Sequence, residues 1–171
     1  MILNDYSLHQ LKKQNYLQGF VGPASIDLKL SDSYFIPKVE GIHYLENEIQ
    51  GEQIIKSRYL LKSGQFILAS TQELIQMPND KAGLIVGRSS IGRLGLQIEN
   101  TGFVDPGFCG QITLELCNQA AYPIMLEQGT RICQLIVLQL NNEADCPYNM
   151  IGKYHDQQGA TPSKLYEDVY V

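Results

Sequence analysis

Apolar and polar positions alternate strictly over Ser25-Ile26-Asp27-Leu28-Lys29-Leu30, with Ile26, Leu28 and Leu30 on one face and Ser25, Asp27 and Lys29 on the other. A period of two is the mark of a half-buried strand. The pattern recurs at Gln111-Ile112-Thr113-Leu114-Glu115-Leu116-Cys117. Residues 59–61 and 66–71 read as strands on either side of a turn at Gly64, and residues 73–80 as a further turn ending in Pro78-Asn79-Asp80. The apolar runs at residues 82–86 and 124–126 add strands, and the nearly continuous run at 132–140 predicts a central one. Residues 5–15 predict a short helix with Ser7 or Asp5 as its cap, Leu8 and Leu11 on one face, and Gly19 beyond its end. Short strands punctuated by turns about every ten residues predict an all-β sandwich or barrel with a short N-terminal helix. From residue 31 to 56 the alternation weakens and Glu40, Glu46, Glu48 and Glu52 accumulate. That stretch reads as a surface excursion without chemistry. Residues 150–171, interrupted by Gly152 and Gly159, read as an extended tail.

Composition narrows the function classes. The 171 residues suffice for one domain, 1–171, with a substantial core. A net charge of -5 argues against a nucleic-acid partner, which calls for a basic stripe facing the phosphates. No apolar run reaches the roughly 20 residues needed to cross a bilayer, and the opening residues lack the apolar core of a secretion signal. The expectation is a cytoplasmic protein without a membrane partner. Cys109, Cys117, Cys133 and Cys146 form no C-x-x-C pair, and His9, His43 and His155 are scattered. That spacing speaks against zinc and for free thiols in a reducing compartment.

Candidate chemistry concentrates between residues 87 and 115. Gly87-Arg88-Ser89-Ser90-Ile91-Gly92-Arg93 combines glycines, hydroxyls and arginine forks suited to a polyphosphate, although a solvated turn has the same composition. Asp105 stands in the turn Val104-Asp105-Pro106-Gly107-Phe108, where an aspartate commonly bonds its own backbone. Strand alternation alone sends Glu115 to solvent. To act as a general acid and base it needs its face covered, by a tail or by a neighbouring subunit.

In combination these segments are specific. Residues 87–96, 101–108 and 110–115, together with Gln157-Gln158-Gly159-Ala160-Thr161-Pro162-Ser163, closely resemble the dCTP deaminases of the dUTPase-like superfamily. Pro23-Ala24-Ser25-Ile26-Asp27-Leu28 and Ile132-Cys133-Gln134-Leu135 fit the same pattern. The resemblance implies a homotrimer of distorted β-barrel or jelly-roll subunits, with active sites at subunit interfaces and residues 150–171 closing over the nucleotide. It implies that Glu115 shuttles protons while water attacks C4 of cytosine without zinc, and that Ser89 and Arg93 position that water. Arg88, Ser89 and Ser90 would hold the triphosphate, with Mg²⁺ bridging its oxygens rather than sitting in a protein cage. Gln134, Tyr154 and Gln157 would contact phosphates or sugar, with Lys153 compensating on the phosphates for a basic tail residue that is absent here. Thr101-Gly102-Phe103 resembles the bifunctional branch, in which Asp105 activates a second water and the products are dUMP, ammonia and pyrophosphate. The alternatives are a deaminase releasing dUTP, a dUTPase, or a non-catalytic nucleotide-binding protein. Feedback inhibition by dTTP is a further expectation of the family. Gln158 departs from the pattern, standing where related tails carry a basic residue.

Overall fold

In a computed structural model the chain is described over residues 1–38, 40–99 and 102–170, so Thr101 of the 101–108 motif lies outside the described residues. The elements run α1 (Asp5–Lys13), β1 (Phe20–Val21), β2 (Ile26–Pro37), β3 (Gly51–Ile55), β4 (Arg58–Leu61), β5 (Phe66–Gln76) and β6 (Lys81–Gly87). They continue with α2 (Ser89–Gly92), β7 (Leu96–Ile98), β8 (Phe103–Val104), β9 (Cys109–Asn118), β10 (Ile124–Glu127), β11 (Arg131–Gln139), α3 (Tyr148–Ile151) and a 3-10 turn at Leu165–Tyr170. The expected all-β class with one N-terminal helix is what the chain adopts.

Strand β2 organises the nine-stranded antiparallel sheet. Its first half pairs with β11, which continues to β6 and β8; its second half pairs with β3. Strand β5 joins β2 to β9 and β7. Register shifts between Leu30 and Tyr34 and between Ser70 and Leu74 mark the irregularities by which the sheet bends around its core. Ile26, Leu28, Leu30, Ile67, Leu114, Leu116 and Leu135 are buried there with Leu8 of the helix. Each such side chain contributes about 1.5–3 kcal/mol through burial. Strands β4 and β10 make a separate pair. Their junction with the sheet is held by Asn118, wholly buried, whose amide donates to the carbonyls of Leu61 at 3.1 Å and Tyr122 at 2.8 Å and accepts the Ala120 N–H at 3.0 Å.

Several local expectations need correction. The helix is capped by Asn4, whose side chain accepts the Ser7 N–H at 3.1 Å, rather than by Asp5 or Ser7. Strand β2 runs on through residues 31–37, so the excursion begins later than its composition suggests. Residues 73–76 are strand rather than turn. The strands on either side of Gly64 are present as β4 and β5, with β4 pairing to β10. Asp27, placed by alternation on a half-exposed face, is buried, since β1 and β11 flank it on either side.

Candidate functional site

Strand β9 carries the site. Ile112, Leu114 and Leu116 face the core, leaving Thr113, Glu115 and Cys117 on the opposite face at intermediate exposure. That face is covered by the chain's own C-terminal segment. Gln157 forms a parallel bridge to Gly110; its carbonyl accepts the Gln111 N–H at 3.0 Å and its amide donates to the Gln111 carbonyl at 2.7 Å. The Gly159 N–H reaches Gln111 Oε1 at 2.6 Å, the Ala160 N–H reaches Ser33 Oγ at 3.0 Å, and the Thr161 N–H reaches Thr113 Oγ1 at 3.2 Å. Gly110 permits the approach: its φ is +145°, and a Cβ there would stand 2.9 Å from the Gln157 carbonyl oxygen.

Beneath this seam lies a cavity of about 350 Å³ lined by Asp105, Glu115, Tyr154 and Gln157, with Thr161, Pro162 and Ser163 from the tail. Burial raises the pKa of Glu115, and the neighbouring negative charge of Glu99 raises it further. A carboxyl group so placed takes up a proton more readily than one in water, as a proton shuttle requires. Asp105 follows β8, where the backbone turns so that its carbonyl accepts the Phe108 N–H at 3.1 Å. Gly102, just before β8, has φ +84°, a conformation that suits glycine.

Lys153 stands in an adjoining cavity of about 500 Å³ that shares Asp105, Tyr148 and Tyr154. Its ammonium is 2.5 Å from Asp168, and that bond raises its pKa. Tyr154 pins the tail: its hydroxyl accepts the Lys164 N–H at 2.9 Å, and the Lys153 and Lys164 ammonium groups lie 5.7 and 5.8 Å from its ring centre.

The remaining candidates lie elsewhere. Ser89, Ser90 and Arg93 are exposed on and beside the single turn α2, and Arg88 caps it. Arg88 and Gln134 converge on Asp27, with Arg88 Nε 3.5 Å from Oδ2 and Gln134 Nε2 3.0 Å from Oδ1. None of these five lines the cavity that holds Glu115. One chain therefore presents two separate constellations, acidic and cationic.

Sequence reasoning passed over several cavity residues. Pro37 and Ile49 come from the end of β2 and from the acidic excursion to which no chemistry was assigned. Tyr148 lines both cavities, packs on Phe108 with ring centres 5.8 Å apart, and accepts the Tyr154 N–H at 3.2 Å. Its position two residues after Cys146, in a segment without periodicity, offered no signal. Among the described residues no three His, Cys, Asp or Glu side chains converge as a metal cage, and no helix is long and apolar enough to cross a membrane.

The chain is similar to known proteins over most of its length. The profile of the dCTP deaminase-like family matches residues 2–140. A protein of Dictyoglomus turgidum named dCTP deaminase, dUMP-forming, is 39% identical over 190 residues, spanning 100% of this chain and 98% of that protein. A Hydrogenobaculum protein of the same name is 46% identical over 146 residues, spanning 85% and 81%. The crystal structure of 2'-deoxycytidine 5'-triphosphate deaminase from Agrobacterium tumefaciens superposes with a TM-score of 0.63 at 20% identity, covering 80% of this chain and 47% of that one. A dUTPase from Streptococcus mutans shares the fold at a TM-score of 0.50 and 18% identity, covering 75% and 88%. With most of its length matched by that profile, and by relatives at this level of identity, the chain belongs to the dCTP deaminase-like family.

Proposed function

We propose that the protein converts dCTP and two waters to dUMP, ammonia and pyrophosphate. The observation that carries this reading is the half-buried Glu115, with raised proton affinity, sharing with Asp105 one cavity partly walled by the C-terminal segment. In the first step Glu115 accepts a proton from a water attacking C4 and passes it to the departing amine. The C4–O bond forms first, the water's other proton goes to N3, and the C4–N bond then breaks to release ammonia, giving dUTP. In the second step Asp105 orients and deprotonates another water for in-line attack on the α-phosphorus, and pyrophosphate leaves. The relatives named dUMP-forming support a reaction that runs through both steps.

The two constellations on one chain point to an active site completed between copies, in a homotrimer. Arg88, Ser89 and Ser90 of a neighbouring copy would hold the phosphates, and its Ser89 and Arg93 would position the water and stabilise charge at the base. Leu84, Val86 and Phe103, exposed on β6 and β8 at 38–53%, are apolar enough to be covered in such an assembly. Gln134 spends both amide N–H bonds on Ser25 and Asp27, so it offers a carbonyl oxygen, which suits a sugar hydroxyl better than a phosphate. Lys153 and Gln157 would contact the phosphates and Tyr154 the sugar, as residues 150–171 close over the nucleotide within a single domain, 1–171.

The residues present fit a Mg²⁺ carried on the triphosphate, which draws most ligands from phosphate and water and asks little more of the protein than one or two carboxylates. Bound there, it would neutralise phosphate charge. As the family resemblance implies, we propose dTTP as a feedback inhibitor and the cytoplasm as the location.

Product analysis tests the reading. Purified protein incubated with dCTP and Mg²⁺ should release ammonia and dUMP. Accumulation of dUTP would identify a deaminase alone, turnover of dUTP but not dCTP a pyrophosphatase alone, and binding without turnover a non-catalytic protein.

A further inference from the structure

The cationic constellation has a carboxylate at its centre, an unexpected group beside side chains that would hold a triphosphate. Asp27 sits on β2 opposite Phe20 of β1 and Gln134 of β11, and is 7% exposed. Its Oδ2 accepts from Arg131 Nη1 at 3.1 Å and faces Arg88 Nε at 3.5 Å. Its Oδ1 accepts from Gln134 Nε2 at 3.0 Å. The Arg88 guanidinium also donates through Nη1 to the Arg131 carbonyl at 3.3 Å, while the Arg131 guanidinium lies 5.0 Å over the Phe20 ring. Three ligand-capable side chains from two elements are thus gathered on one buried carboxylate.

We propose that Asp27 is a positioning residue for the triphosphate, acting through Arg88 and, secondarily, Arg131; the inference rests on the function proposed above. Two guanidinium groups this close repel each other and, unrestrained, sample many rotamers. The carboxylate offsets the repulsion and holds Arg88 by one edge, and no described protein acceptor contacts Arg88 Nη2. This ion pair, together with the Nη1 bond to the Arg131 carbonyl, restrains the fork before the ligand arrives, so less freedom is lost on binding. Two arginines on one carboxylate still leave net positive charge for the phosphates.

Positioning and simple charge make opposite predictions. Removing a negative charge beside a polyanion should tighten binding if charge alone matters, whereas losing the anchor should weaken it. Calorimetric binding of dCTP and dCMP would be measured in the Glu115→Gln protein, and again with Asp27→Asn or Asp27→Glu added. We expect both Asp27 changes to weaken dCTP by about tenfold or more, the usual scale for a lost charge-assisted bond. Binding of dCMP, which lacks the outer phosphates, should change less than about twofold. Melting curves establish that each variant is folded, and Asp27→Glu, which keeps the charge but moves it, carries the test if Asp27→Asn does not fold. In an Arg88→Ala background the Asp27→Asn change should add little, because the two act as one unit. Unchanged or tighter dCTP binding by both Asp27 variants, or equal losses for dCTP and dCMP, overturns the inference alone. Failure of the wild-type protein to bind or convert dCTP overturns the proposed function, and this inference with it.

Discussion

Placing one methyl group at Gly110 tests whether the C-terminal seam is part of the active site. In Gly110→Ala the new Cβ would meet the Gln157 carbonyl oxygen at 2.9 Å, its backbone nitrogen at 3.1 Å and its Cγ at 3.2 Å. Contacts of that kind relax only when backbone moves, so the tail must retreat by a few tenths of an ångström. The φ of +145° adds strain that alanine does not tolerate well. The bonds at risk are those nearest the methyl group, from the Gln111 N–H to the Gln157 carbonyl at 3.0 Å and from the Gln157 amide to the Gln111 carbonyl at 2.7 Å. Each contributes about 0.5–1.5 kcal/mol net, and the backbone strain is of order 1–3 kcal/mol. Together they destabilise the closed seam by about 2–6 kcal/mol, roughly 30- to 25,000-fold in its closing equilibrium. Hydrogen exchange at residues 157–161 should accelerate while the β2, β5 and β11 amides keep their protection. The kcat/KM for dCTP should fall by at least tenfold, because an open tail returns the Glu115 face to water. Normal exchange of the tail together with normal kcat/KM would refute the reasoning, and loss of protection throughout β9 would show that the strain is absorbed by the sheet instead.

Asp105→Asn should let deamination proceed while slowing pyrophosphate release by about 10²–10⁴-fold, the usual contribution of a positioned base, so that dUTP accumulates on chromatography; undiminished dUMP formation would remove Asp105 from the second step. Glu99→Gln takes away the like charge that, after burial, raises the pKa of Glu115. A base with a raised pKa loses activity as pH falls through that value, so the acidic limb of the deamination profile should move to lower pH in this variant, and an upward movement would contradict the assignment. Asn118→Ala strands the Leu61 and Tyr122 carbonyls and the Ala120 N–H in the interior. It should cost about 2–4 kcal/mol and lower Tm by roughly 5–15 °C in calorimetry, with a shift below about 2 °C arguing that the corner repacks or admits water.

The alternating residues announced their strands because a period of two depends only on local side-chain direction. Thus Ile112, Leu114 and Leu116 were legible as a core face, and residues 132–140 as a central strand flanked on both sides, before any partner was known. The helix over Leu8 and Leu11 was equally local. The resemblance carried by the 87–96 and 110–115 segments was legible too, because its motifs recur in order and in register.

Partnership was not legible. Nothing in residues 58–61 indicates that β4 would pass over the adjacent β5 and pair with β10, since pairing energy depends on a neighbour more than 60 residues away. Asp27 has the pattern of a solvent-facing residue, and only the arrival of β1 and β11 on either side buries it among two arginines. Glu115 has the same alternating pattern. Its proton affinity is set by burial and by Glu99 beside it, and the tail that lines its cavity comes from more than 40 residues downstream, all of which are tertiary facts. By itself the sequence determined which residues could do chemistry and which strands would carry them. The tertiary structure decided which of those residues share a cavity, because burial and charge act through space and not along the chain.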